Sequence, residues 1–188
     1  MAKKRESKHK NEMIDWKKVS ERFAYRGWRN MIQKRFEMPD GRHADFDVVG
    51  IDTFVTIAAF TKNQEAIMVR QFRPGPEMIL ASFPEGLVDP RESPEMTARR
   101  ELLEETGFEA GHITLLKEVR SAYTTERQVI LLASDCHKVG EQNLDATEFI
   151  EVFSLPLPEF RKMLRQAEDT SFVNVDAGYL ALDRLGWL

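Results

Sequence analysis

The run GLVDPRESPEMTARRELLEETGF, Gly86 to Phe108, decides how the rest of the chain is read. Ser93 followed by Pro94 marks a helix start, because a serine hydroxyl caps free backbone N–H groups and proline suits the first helical position. Glu95 to Thr106 favours helix throughout, and Gly107 supplies a C-terminal cap. Glu101, Glu104 and Glu105 fall at i, i+3 and i+4, on one helical face. Like charges so close repel and cost helix stability. Two explanations compete: a solvated acidic face, or a divalent cation held through carboxylates, water and substrate phosphates. The surroundings favour the cation. Gly86 and Gly107 bracket the segment, and Leu102 and Phe108 supply apolar anchors. Glu92 precedes Arg100 by eight residues, so a Glu–Arg pair can hold the preceding loop onto the helix.

Outward from this helix the pattern changes to strands. Upstream, Phe23 to Trp28, Met31 to Met38 and Phe46 to Val49 read as strands, the last two joined by a Pro39-Asp40-Gly41 turn. Thr53 to Phe60 and Ala66 to Phe72 follow, with a turn at Lys62-Asn63. Downstream, strands are expected at Ile113 to Val119, Gln128 to Ser134 and Phe149 to Ser154, and helices at Pro158 to Ala167 and Asn174 to Leu188. The sum is an α+β chain, an α/β/α sandwich around a mixed sheet. Residues 1–10 read as a basic flexible tail, 11–50 as N-terminal strands in an antiparallel extension, and 51–188 as the main domain.

The 188 residues are 42% hydrophobic and 31% charged, which suits one compact domain with a short extension and excludes a disordered chain. A net charge of −4 gives no overall attraction to nucleic acid, so an anionic substrate needs local arginines or a metal. The single cysteine, Cys136, excludes an internal disulfide and reads as a packed, inert thiol. The basic start has no apolar stretch behind it, and no window reaches membrane-spanning length. No secretory signal, no membrane partner and a reducing, cytoplasmic setting are expected. His9, His43, His112 and His137 show no metal-ligand spacing.

Read in order, the central run is Gly86, five residues, Glu92, seven residues, Arg100-Glu101-Leu102, one residue, Glu104-Glu105, one residue, Gly107-Phe108. It resembles the complete signature of the Nudix hydrolases, matching nine specified positions at fixed spacing. The resemblance implies the Nudix fold with its catalytic loop-helix-loop, and hydrolysis of a nucleoside diphosphate linked to another moiety with Mg²⁺, or Mn²⁺. It implies that Glu101 and Glu105 are principal metal ligands, with Glu104 a further ligand or a ligand to bridging water. The backbone carbonyl of Glu85 resembles another ligand. Gly86, Glu92, Arg100 and Gly107 then hold the motif's shape.

The flanks resemble the ADP-ribose and nucleoside diphosphate-sugar pyrophosphatases. Val69-Arg70-Gln71-Phe72-Arg73 resembles their strand before the motif, and Ser82-Phe83-Pro84-Glu85-Gly86 their approach to its glycine, with glutamate where alanine is usual. Arg73 is the expected diphosphate contact, since a guanidinium suits bidentate phosphate recognition. A surface arginine at a strand end is the plainer alternative. Arg70 is expected to face solvent. Beyond the helix, Thr125-Glu126-Arg127 resembles the segment whose glutamate touches substrate, which nominates Glu126. The usual Pro-Gly is missing there, and Tyr123 stands in a region where dinucleoside polyphosphate hydrolases of the family carry tyrosine. Tyr123 reads equally as a packing residue. Asp145 to Val152 resembles the loop and strand that deliver a catalytic base, which nominates Glu148. An ordinary acidic loop, or Glu101 or Glu104 acting as base, remain alternatives.

The N-terminal strands resemble those by which this subgroup forms swapped homodimers. Trp28 and Tyr25 are then candidates to stack on a nucleobase from across the dimer, and Arg29 and Arg26 to meet phosphate. A packed strand residue or an interface anchor is the plainer reading of Trp28. The leading substrate is ADP-ribose, cut to a nucleoside monophosphate and a sugar phosphate. GDP-sugars, dinucleoside polyphosphates and a non-catalytic nucleotide sensor are the alternatives, and no nucleic-acid partner is expected.

Overall fold

The computed structural model describes residues 15–166, 168 and 170–188. The expected tail at 1–10 and the expected helix end at Ala167 lie outside the described residues. By internal contacts the chain divides into two units, Met1–Gly50 and Ile51–Leu188. Among the described residues, no helix is long and apolar enough to cross a membrane.

The first unit is an antiparallel three-stranded sheet of β1 (Lys17–Tyr25), β2 (Asn30–Glu37) and β3 (His43–Gly50), in that order. The turn read at Pro39-Asp40-Gly41 joins β2 to β3: Gly41 adopts φ +82°, and its N–H donates to the Met38 carbonyl at 2.9 Å. Ile32, Phe36, Phe46 and Val48 alternate onto one sheet face, where Trp16 packs on Phe46 with ring centroids 5.6 Å apart. The opposite face carries Gln33, Arg35, Asp45 and Asp47, with Arg35 bonded to Asp45 at 2.9 Å. Period-two alternation thus makes the sheet two-sided.

The second unit is built on β4 (Thr53–Thr61) and β10 (Arg127–Lys138), which pair in parallel at the middle of a mixed sheet. Both are buried on both faces, so they read as continuous apolar runs. β9 (His112–Arg120) pairs antiparallel with β10, as does β8 (Phe108–Glu109). On the other side β5 (Glu65–Arg73) meets β4 through only two residue pairs, Ala59↔Ile67 and Phe60↔Ala66. Past them the strands part. β6 (Met78–Ser82) then pairs with β5, and β7 (Glu85–Leu87) with β4. β11 (Glu151–Pro156) closes the edge against β5.

Helices cover both faces, as an α/β/α sandwich requires. On one face Ala98 and Leu102 of α1 (Pro94–Thr106) pack on Val55, Ile57, Val129 and Leu131. On the other, Phe160 of α2 (Leu157–Arg165) and Leu182 of α3 (Val175–Leu185) pack on Phe60, Met68 and Ile130. Phe160 meets Phe60 edge-on at 5.6 Å.

Several boundaries differ from the sequence reading. The last helix was expected over Asn174 to Leu188, yet it ends at Leu185, where Gly186 turns left-handed at φ +69°. The strand expected from Phe149 starts at Glu151 and runs to Pro156, and Phe149 itself is 84% exposed. Trp28, expected at the end of a strand, lies with Arg29 in the turn between β1 and β2. β6, β7 and β8 were not anticipated: two or three residues, or five at an edge, are too few to display a period.

Candidate active site

The site forms around α1. Ser93 accepts the Met96 N–H at 3.2 Å, Pro94 occupies the first turn, and Gly107 closes the helix at φ +74°. Each is placed as the sequence indicates. Gly107 is also required by its neighbours, because a Cβ there would collide with the Gly140 carbonyl. Gly86 is required for a chemical reason: a Cβ would collide with the Glu101 carboxyl group. The backbone of β7 and the acid of α1 therefore meet face to face, and a side chain at Gly86 would displace the Glu101 carboxyl group from its place.

Arg100 binds three carboxylates. It donates to Glu92 at 3.0–3.3 Å, to Glu101 at 2.8 Å and to Glu104 at 2.9 Å. Glu92 also accepts the Thr97 hydroxyl at 2.8 Å, so the loop before α1 is fastened to the helix at two points. The Arg100 guanidinium, with Thr97, holds the Glu92 carboxyl below its ordinary range.

Glu105 is different. It is 4% exposed, and burial pushes its carboxyl up to about 8, with Glu101, Glu148 and Glu85 adding repulsion. One carboxylate oxygen accepts the Glu85 N–H at 3.2 Å. Burial raises Glu101 as well, against the pull of Arg100. Among the described residues no three carboxylates converge closely enough to hold an ion as they stand, and Glu101 and Glu104 are instead paired with Arg100. The donor set nevertheless fits a hard divalent cation. Its side-chain donors are carboxylate oxygens only, it carries repulsion that no neighbouring cation cancels at Glu105, and Gly86 leaves room for the Glu101 carboxyl group.

The loop bearing Glu148 is fixed by the end of α1. A helix leaves its last carbonyls without intrahelical partners. Here Asn143 N–H donates to the Glu104 carbonyl at 2.9 Å, and the Gln142 side chain donates to the Glu105 carbonyl at 2.7 Å and to that of Ile150 at 3.1 Å. Glu148 closes a tight turn with Asp145, accepting its N–H at 3.0 Å. It stands near enough to Glu101 and Glu105 to raise both.

A second polar group centres on Glu85. Its carboxylate accepts from Asn174 Nδ2 at 2.8 Å and Thr56 Oγ1 at 3.0 Å, and pairs with Arg73 at 3.3 Å. Gln128 donates to Thr56 at 3.0 Å, and Asn174 Oδ1 accepts the Phe83 N–H at 2.8 Å. Asn174, at the start of α3, gives its helix no side-chain cap and serves Glu85 instead. Burial keeps the Glu85 carboxyl raised despite these donors. Arg73 thus reaches inward from the end of β5, whereas Arg70 pairs with Glu151 at the sheet edge at 2.5 Å.

Glu101, Glu104, Glu105, Glu148, Glu85 and Arg73 therefore share one linked neighbourhood. Glu126 lies just before β10 and takes a long contact from Thr124 at 3.5 Å. Tyr123 is 82% exposed and so is no part of the core. Trp28, 95% exposed, and Arg29 belong to the first unit, and the exposure removes the packed-residue reading of Trp28. Sequence reasoning missed Thr56, Gln128, Gln142, Asn143 and Asn174. No local signal marks them, since each acts on a residue distant in sequence or on backbone.

Comparison with known proteins agrees with this geometry. A family model described as NUDIX domain matches residues 52–174. The chain is 32% identical over 135 residues to the ADP-ribose pyrophosphatase of Bacillus subtilis, covering 70% of this chain and 73% of that protein. It is 32% identical over 124 residues to the ADP compounds hydrolase NudE of Escherichia coli, covering 65% and 64%. A crystal structure of an ADP compounds hydrolase superposes with TM-score 0.79 at 26% identity, over 92% of this chain and 97% of that one. The signature on α1, the fold around it and these relatives together make the chain a member of the Nudix hydrolase family.

Proposed function

We propose that this enzyme hydrolyses the diphosphate bond of nucleoside diphosphate sugars, with ADP-ribose the leading substrate and Mg²⁺, or Mn²⁺, as cofactor. The observation that carries the reading is the buried Glu105 beside Glu101, packed over Gly86 in a frame of carboxylates. Relatives named ADP-ribose pyrophosphatase and ADP compounds hydrolase support the substrate class. Glu101, Glu105 and Glu104 would hold the cation, together with the Glu85 carbonyl. A divalent ion supplies charge neutralisation on the diphosphate and a water of lowered pKa.

The chain's own groups do the rest. Arg73, steadied by Glu85, offers its remaining N–H groups to the diphosphate oxygens. Glu148 takes a proton from the attacking water, standing on a loop tied to the end of α1. Glu92 and Arg100 keep α1 and its loop in register. Glu126 contacts substrate hydroxyls, and Trp28 and Arg29 bind nucleotide base and phosphate from across the proposed dimer. Products are a nucleoside monophosphate and a sugar phosphate.

The exposed Tyr123 favours one second reading, turnover of dinucleoside polyphosphates, because an unpacked ring is free to stack on a second base. We further propose a homodimer through the N-terminal sheet. Its apolar face bears Trp16 and Phe46, 45% and 40% exposed, and the first unit has no helix among its described residues to cover it. Cytoplasmic location completes the reading.

A panel of nucleotide sugars, dinucleoside polyphosphates and nucleoside triphosphates, with each divalent metal and with chelator, tests the proposal by mass spectrometry of products. Metal-dependent release of a nucleoside monophosphate and a sugar phosphate is expected. Turnover confined to triphosphates or capped RNA would overturn it.

A further inference from the structure

A second cationic site stands apart from the catalytic one. An open cavity of about 610 Å³ lies where β5 begins, lined by Gln64, Arg161, Lys162, Arg165 and Gln166 among others. No carboxylate is among its lining residues. Arg161 and Arg165, one helical turn apart on α2, share a face and repel each other. Several of the chain's other arginines find acids: Arg35 with Asp45, Arg70 with Glu151, Arg100 with Glu92, Arg127 with Glu118. Among the described residues none of Arg161, Lys162 and Arg165 does. Arg161 goes further, since its Nε is buried with no hydrogen-bond partner.

A helix C-terminus favours cations, which accounts for Lys162 and Arg165 in the last turn of α2. It does not account for a guanidinium nitrogen removed from water without an acceptor, an arrangement that costs free energy until an acceptor arrives. Gln64 and Gln166 add neutral donors at the rim. The missing element is a compact group with several acceptor oxygens and negative charge, and its dimensions allow a small molecule to enter.

We propose that this cavity binds a phosphate group, at a site separate from the catalytic one. Arg161 and Arg165 grip its oxygens and Lys162 adds charge, as guanidinium and ammonium groups do for phosphate. The site lies at the beginning of β5, whereas Arg73 stands at its end. Eight residues of extended chain separate the ends by roughly 26 Å, so one anion does not span both. The phosphate is either free orthophosphate or the monoester of a mononucleotide.

The test uses the full chain, ¹⁵N-labelled, in chelator so that no divalent ion recruits phosphate to α1. The Arg161 Nε–H signal, assigned by its disappearance in Arg161→Lys, is followed as inorganic phosphate is added, and separately as adenosine monophosphate is added. A saturable shift is expected, weakened about tenfold or more in Arg165→Ala by loss of a charge-assisted hydrogen bond, with the melting temperature and hydrolysis in phosphate-free buffer unchanged. Saturation at much lower mononucleotide than phosphate identifies the ester as the ligand, and equal titrations identify orthophosphate. A signal that does not move, a shift unaltered by Arg165→Ala, or a response only to anionic vesicles or RNA overturns the proposal.

Discussion

Glu92 and Glu85 flank the same helix, and each answers an arginine, yet their surroundings oppose each other. Glu92 meets Arg100 and Thr97, and the pairing holds its carboxyl below the ordinary range. Glu85 meets Arg73, Asn174 and Thr56, yet burial leaves its carboxyl above that range. Desolvation disfavours a charge, and partners favour it. In the first pair the partners win. In the second the surroundings win, although Glu85 has three partner residues to Glu92's two. The first pair fastens a loop. The second holds a partly buried acid against Arg73's half-buried guanidinium, the proposed diphosphate contact, and Glu85's backbone N–H also serves Glu105. The inner side of the site therefore works against folding, as the proposed binding of cation and phosphate would require.

The sharpest test of that contrast is Glu105→Gln. Hydrolysis is expected to fall by more than about 100-fold, since loss of groups that merely support metal ligands already costs 10- to 100-fold. The melting temperature of the metal-free protein is expected to rise. A fall in both, read by steady-state kinetics and calorimetry, would break the contrast.

Arg73→Ala should raise KM by roughly 10- to 100-fold, the worth of hydrogen bonds to a charged group. Glu85→Gln keeps an acceptor for Thr56 and Asn174 and loses only the ion pair. Its KM should rise several-fold with kcat nearly unchanged. Glu92→Gln should do the reverse, lowering kcat as the loop and α1 lose register. An equal split for both substitutions would remove the distinction.

The smallest effects are on pH dependence. Glu105 titrates near 8 when folded against 4.5 as its ordinary value, so the folded state holds the proton more tightly. Stability of the metal-free protein should decline as pH rises from about 4.5 to 8. Glu92 is lowered from 4.5, so its contribution is present above that value and is lost as pH falls below it. Thermal melts across pH should show Glu105→Gln flattening the neutral limb and Glu92→Gln the acid limb.

Much of the outer side was readable beforehand. Ser93, Pro94 and Gly107 act within one turn of α1, and Glu92 and Arg100 meet across eight residues, so spacing alone implies their contact. The acidic face of α1 was readable for the same reason. The Glu85 carboxylate was not. The sequence reading gives Glu85 a role only through its backbone carbonyl, with glutamate standing where alanine is usual. That side chain joins Thr56 across 29 residues and Asn174 across 89. Asn174 looked like an ordinary helix start because a cap and a long-range donor are the same residue type.

What the chain determined by itself is thus local: the caps, length and charged face of α1, and the period of the long buried strands, all set by neighbours within a turn or a few residues. Only the tertiary structure decided which acids are buried and which arginine they face. That depended on β4 and β5 parting after two residue pairs to admit β6 and β7, and on α3 arriving with Asn174. Desolvation is a property of the whole packed environment, and no spacing between residues encodes it.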